Sequence, residues 1–192
     1  IIDTLSTNEF KVTVDQINSA VTPNSKAIII NSPSNPTGSA YNKKELEEIA
    51  ECALRNKLLI ISDEIYEKVV FDGFKQHSIC SIGKEVQNNS ILINGVSKSY
   101  AMTGWRIGYL GANKEIVKQA AKLQGQSTSN PTSISQMASI TALNDTEADI
   151  KQMVDEFQKR RDILLSSLLK IPSIGCYKPV GSFYTFPDFS AY

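Results

Sequence analysis

Short apolar runs alternating with amphipathic stretches set the rhythm of this chain. Residues 26–31 read KAIIIN, a β-branched run that stops at the turn cluster Ser32-Pro33-Ser34-Asn35-Pro36-Thr37-Gly38. Asn42 follows as a helix N-cap, with Glu45 placed to close a capping box. Leu46, Ile49, Ala50, Ala53 and Leu54 then recur at helical spacing, which predicts a helix with one apolar face. Further apolar runs occupy residues 58–61, ending in Ser62-Asp63-Glu64, then residues 90–94 and 107–110. Runs this short, apolar on both faces and separated by helices, predict an α/β fold. Its sheet is expected to be mostly parallel and covered by helices on both sides.

Beyond residue 110 the texture changes. Residues 133–143 read as a helix after a loop at 125–132. A longer helix is expected over 146–169, with Ile150, Met153, Val154, Phe157, Leu164, Leu165 and Leu168 on one face. Pro172 and Gly175 end it, and residues 181–186 read as a short strand. The long helix is placed to connect the α/β layer with a second domain of which only the beginning is present. No internal repeat is evident.

Composition narrows the function classes. The 192 residues carry 20 Lys+Arg against 20 Asp+Glu, a formal charge of zero, with 41% hydrophobic residues. Such a chain is neither disordered nor low-complexity. It offers no basic footprint for nucleic acid or an anionic membrane, so a small molecule or a protein is the expected partner. The apolar runs are far shorter than the roughly 20 residues that cross a bilayer. Position 1 is Ile and no signal-peptide pattern follows, so the start reads as a cut. Cys52, Cys80 and Cys176 are scattered, which argues against a disulfide scaffold or a metal site and makes a reducing cytoplasm the expected compartment. The lone histidine, His77, lies in the polar stretch Lys75-Gln76-His77-Ser78 and reads as a loop residue.

Parallel α/β sheets hold ligands at the carboxyl ends of their strands. After the first run stand Asn35-Pro36-Thr37-Gly38, after the second Asp63 and Tyr66, and after the third Ser97 and Lys98, with Arg106 beyond. Taken singly, each has a plain structural role: a turn residue, a helix cap, a core phenol, a surface lysine, an ion-pairing arginine. Together at successive strand ends they suit a ligand with an anionic group for arginine, a protonated ring nitrogen for aspartate and a carbonyl for lysine.

The segments NPTG (Asn35 to Gly38), SDEIY (Ser62 to Tyr66) and SKSYAMTGWRIGY (Ser97 to Tyr109) closely resemble class I pyridoxal-phosphate-dependent aminotransferases of the aspartate aminotransferase superfamily. The likeness runs over essentially the whole chain and is strongest to the bacterial branch acting on aspartate, aromatic amino acids or prephenate. It implies pyridoxal 5'-phosphate as cofactor, amino acid and 2-oxo acid substrates, and a homodimer with shared active sites. By the same resemblance Lys98 would form a Schiff base with the cofactor and shuttle the substrate proton, and Asp63 would pair with the ring nitrogen. Tyr66 and Asn35 would donate to the phenolic oxygen, and Arg106 would hold the phosphate. No metal is implied.

Two features depart from that pattern. Many relatives carry a phosphate-binding serine where this chain has Gly95, which leaves Ser97 to offer a hydroxyl or Gly95 to permit close backbone approach. The resemblance also implies a glycine-rich phosphate cup and a ring-stacking aromatic before residue 1, and a carboxylate-binding arginine after residue 192. The chain is therefore expected to be a central segment with little activity alone. Residues 1–144 would be part of the cofactor-binding large domain, and 145–192 the connecting helix and start of a small domain. The loop 126–131 resembles one that lies near the neighbouring subunit's site and equally suits an ordinary connection. A β-eliminating carbon–sulfur lyase of the same fold, the sensor domain of a transcription regulator, or an inactive fragment are the other expectations.

Overall fold

All four apolar runs form strands in the computed structural model, which describes all 192 residues. They are β1 (Ala27–Asn31), β2 (Leu59–Asp63), β3 (Ser90–Gly95) and β4 (Gly108–Gly111), hydrogen-bonded in that order in one sheet. The first three run parallel and β4 runs antiparallel to β3. Their register sets Asn31 beside Asp63, Asp63 beside Ile93, and Gly95 beside Gly108. The result is a mixed, mostly parallel sheet flanked by helices.

The helix expected after Asn42 is α2, Lys43–Arg55, which follows α1, Val14–Ala20. Its capping box forms as the residues dictate: Asn42 Oδ1 accepts from the Glu45 amide at 3.0 Å, and Glu45 Oε2 accepts from the Asn42 amide at 2.7 Å. Such a cap stabilises a helix by about 1 kcal/mol. The apolar face of α2 places Leu46, Ile49, Ala50 and Ala53 in a core with Ile17 of α1, Ile30 of β1 and Ile60 of β2. Burial of each large aliphatic side chain there is worth about 1.5–3 kcal/mol. Val86 of α3 (Lys84–Asn88) closes the same cluster.

Three further helices follow: α4 (Lys114–Ser127), α5 (Ser133–Asp145) and α6 (Glu147–Leu168). α6 packs Met153, Val154 and Phe157 against a second cluster formed by Tyr66, Val69 and Phe71. After it, β5 (Gly175–Cys176) and β6 (Pro187–Asp188) pair in a separate two-stranded ladder. No helix is long and apolar enough to cross a membrane.

The structure departs from the sequence-based reading in local ways. α1, α3 and α4 were not expected, and the supposed loop at 125–132 begins as the last turn of α4. Residues 181–186 do not form a strand: after one bridge between Val70 and Gly181 the chain bends at Ser182, whose φ is 57°, and Phe183 packs against Tyr66 and against Phe157 of α6. Apolar residues there meet tertiary neighbours rather than a ladder partner, which their pattern alone does not reveal.

Candidate active site

Because β1, β2 and β3 are parallel, the segments following them emerge at one edge, and antiparallel β4 begins at that edge. Asn31, the last residue of β1, organises it. Its Nδ2 donates to the Asp63 carbonyl at 3.1 Å, and its Oδ1 accepts from the Asn35 amide at 2.7 Å. The loop carrying Asn35 is thereby tied to the end of β2, while the Asn35 side chain stands exposed and free of protein partners. Asp63 Oδ1 accepts from the Ile65 amide at 3.2 Å, and its carboxylate has no ion pair. The adjacent Glu64 has the opposite environment. It is buried, accepts from the hydroxyls of Ser62 at 2.8 Å and Ser78 at 2.9 Å, and burial pushes its pKa up against those two bonds.

Tyr66 lies in the turn after β2 with 2% of its surface exposed. Phe183 and Tyr184 meet its ring edge-on at centroid distances of 5.2 and 5.9 Å, and the Tyr66 and Tyr184 hydroxyls are 2.9 Å apart. Burial, and then the contact with Tyr184, hold the Tyr66 phenol well above its ordinary pKa. The Lys98 ammonium sits 5.8 Å from the Tyr66 ring centre and 5.4 Å from that of Phe183, within cation–π range of both, with no hydrogen-bond or ionic partner.

The connection from β3 to β4 is tightly drawn. A Cβ at Gly95 would lie 2.7 Å from the Ile107 carbonyl, so the position excludes every larger residue, and close backbone approach explains the glycine. Ala101 and Arg106 both adopt left-handed backbone conformations, at φ 53° and 56°. Non-glycine residues pay about 1–2 kcal/mol there, and such strain concentrates at functional loops. Arg106 is exposed and donates only to the Thr103 carbonyl, at 2.9 Å. The Ser97 hydroxyl is half-buried without a hydrogen bond, and that of Ser99 is fully buried and equally unpartnered. His77 takes part only through its backbone carbonyl, which accepts from Gln76.

Phe183 and Tyr184 reach the site because their segment is pinned on two sides. Arg161 of α6, 5% exposed, donates to both Asp72 carboxylate oxygens at 2.8 and 3.0 Å and to the Pro179 carbonyl at 2.8 Å. Arg161, and secondarily Lys178, lower the Asp72 pKa to about 2. Backbone bonds continue the attachment: Val180 and Gly181 both donate to the Gly38 carbonyl, Phe71 donates to Val180 and Ser182 to Val69. Sequence reasoning missed Asn31, Phe183 and Tyr184 as site residues. The last two lie in the stretch 181–186 that reads as a short strand, and nothing local links Tyr184 to a residue 118 positions earlier.

With this geometry in view, likeness to known proteins becomes decisive. Residues 2–192 match the family described as aminotransferase class I and II. The chain belongs to that family. It is 46% identical over 187 residues to the aspartate aminotransferase of Geobacillus stearothermophilus, covering 97% of this chain and 48% of that protein. It is 49% identical over 180 residues to the probable aspartate/prephenate aminotransferase of Rickettsia typhi, covering 93% and 45%. Among solved structures, the aromatic aminotransferase of Pyrococcus horikoshii superimposes with a TM-score of 0.93 at 36% identity, over 97% of this chain and 50% of that one. The chain thus spans about half the length of the family members it matches.

Proposed function

We propose that the full-length protein is a pyridoxal 5'-phosphate-dependent aminotransferase that moves an amino group from an amino acid to a 2-oxo acid. Its relatives support aspartate or an aromatic amino acid as the donor class. The observation that carries the reading is the set of unsatisfied groups gathered at one sheet edge. Asp63 and Lys98 lack ionic partners, Asn35 lacks any side-chain partner, and the Arg106 fork donates to one backbone carbonyl. An aromatic ring bearing a phosphate, a basic nitrogen, a phenolic oxygen and an aldehyde meets each demand once, and the orphaned Ser99 hydroxyl leaves a further donor.

When bound, this cofactor supplies an electron sink for the substrate's Cα. Lys98 would hold it covalently through Nζ, and the same amine, once free, would carry the proton from and to the substrate Cα. Asp63 would keep a proton on its ring nitrogen. Tyr66 and Asn35 would donate to its phenolic oxygen, Arg106 would hold its phosphate with a planar fork, and Ser97 would offer a hydroxyl. Residues 1–144 belong in this reading to a large cofactor-binding domain. Residues 145–192 supply the connecting helix and the start of a small domain, a division supported by the separate β5–β6 ladder. Exposed Leu123, Ile134 and Met137, on either side of the 126–131 loop, support a homodimer with shared sites.

Visible absorbance of bound cofactor in the full-length protein, and its loss in Lys98→Ala, test the proposal. Amino transfer to a 2-oxo acid without ammonia release is expected. Release of ammonia and pyruvate would establish an eliminating lyase instead.

A further inference from the structure

We infer that Tyr184 is a positioning residue for the reaction, holding the Tyr66 hydroxyl and completing a two-phenol relay directed at the cofactor's phenolic oxygen. The inference rests on the functional reading above and names a residue that it leaves unused. The geometry is specific: the two hydroxyls are 2.9 Å apart, and the Tyr184 ring meets that of Tyr66 edge-on. Tyr184 is half-buried, and the backbone bonds of Val180, Gly181 and Ser182 fix the segment just before it. The hydroxyl is therefore delivered by a rigid segment rather than by a freely rotating tail.

A phenol has one proton to give and lone pairs to receive another. When Tyr66 donates to the cofactor oxygen, its own oxygen is free to accept from Tyr184. A chain of two such bonds polarises itself, so Tyr66 becomes a stronger donor than it would be alone. With the cofactor away, the same pair gives the buried Tyr66 hydroxyl a partner and keeps it aimed. The other groups around Tyr66 do not supply this: Phe183, Met153 and Phe157 are apolar, Lys98 lies over the ring face, and Asp63 acts on the phenol only through its charge.

The test is a pH titration of the bound cofactor's visible band in full-length protein, comparing wild type, Tyr184→Phe, Tyr66→Phe and the double variant. Tyr184→Phe keeps the ring and removes only the hydroxyl, and thermal unfolding checks that it folds. A donor to the phenolic oxygen favours its deprotonated form, so Tyr66→Phe raises the midpoint. Tyr184→Phe is expected to raise it in the same direction by about half a pH unit. Because Tyr184 acts only through Tyr66, the double variant is expected to match Tyr66→Phe. A midpoint unmoved by Tyr184→Phe while Tyr66→Phe shifts it, or shifts that add in the double variant, would overturn the relay and leave the functional reading intact. Absence of any cofactor band from the wild type would overturn that reading, and the relay with it.

Discussion

The two halves of the candidate site are built differently. Asn35, Asp63 and Tyr66 stand at the ends of β1 and β2, strands whose other face is sealed by α2 in a core of twelve buried residues. Asn31 links the two strand ends, and Arg161 clamps the chain beyond Tyr66 from α6. Lys98 and Arg106 stand instead on the β3–β4 connection. There β4 is exposed at every residue, α4 buries none, and the loop is held by close backbone approach and two left-handed residues. A groove beside that half is lined by Ile93, Tyr109, Leu110, Val117 and Ala121. The acidic and phenolic half is therefore preorganised by packing, and the cationic half by loop geometry. Local stability follows the packing, so the two halves respond differently to substitution.

The largest effect separates chemistry from packing. Asp63→Ala removes a charge that supports no ion pair of the fold, so full-length protein should lose at least about a hundredfold in turnover. Its unfolding midpoint in urea should barely move. Near-normal turnover would return Asp63 to a turn-stabilising role through its bond with Ile65.

Next comes the packing contrast itself. Leu46, 2% exposed, lies in the α2 core, and Leu46→Ala should destabilise by about 3 kcal/mol through lost burial and a residual cavity. Leu123, 73% exposed on α4, should tolerate the same change within about 0.5 kcal/mol in the 192-residue chain. Equal losses in urea denaturation would erase the distinction between the two flanks.

A smaller effect concerns the clamp behind Tyr66. The folded Asp72 pKa, about 2, lies below its ordinary 3.8. Its contribution is therefore fully present above the ordinary value and fades as pH falls through the folded one. Thermal unfolding should show the wild type losing stability between about pH 4 and pH 2 more steeply than Asp72→Asn. The part-exposed carboxylate keeps the effect modest. Parallel pH profiles would mean that Arg161 holds Pro179 without help from the charge of Asp72.

Much of this was legible in the chain because it is local. The KAIIIN run, the Asn42–Glu45 box and the spacing of Leu46, Ile49, Ala50 and Ala53 each carry their own structural instruction within a few residues, and the structure follows them. The candidate site residues could be gathered for a related reason: each lies at or close to a strand end, and a parallel sheet brings such ends together. The helix α1 was also readable in principle, since Thr13 and Gln16 form the same kind of capping box as Asn42 and Glu45.

What the sequence determined by itself was thus the element pattern, the α/β class and the set of chemical groups at the strand ends, because helical and strand periods and caps are short-range. Tertiary structure alone decided the rest. The direction of β4 depends on which neighbour its backbone can bond. The need for glycine at position 95 depends on a carbonyl twelve residues away. The arrival of Phe183 and Tyr184 beside Lys98 and Tyr66 depends on a buried arginine on α6 and on backbone bonds across the whole chain. Such contacts join residues with no shared period, so no local pattern records them.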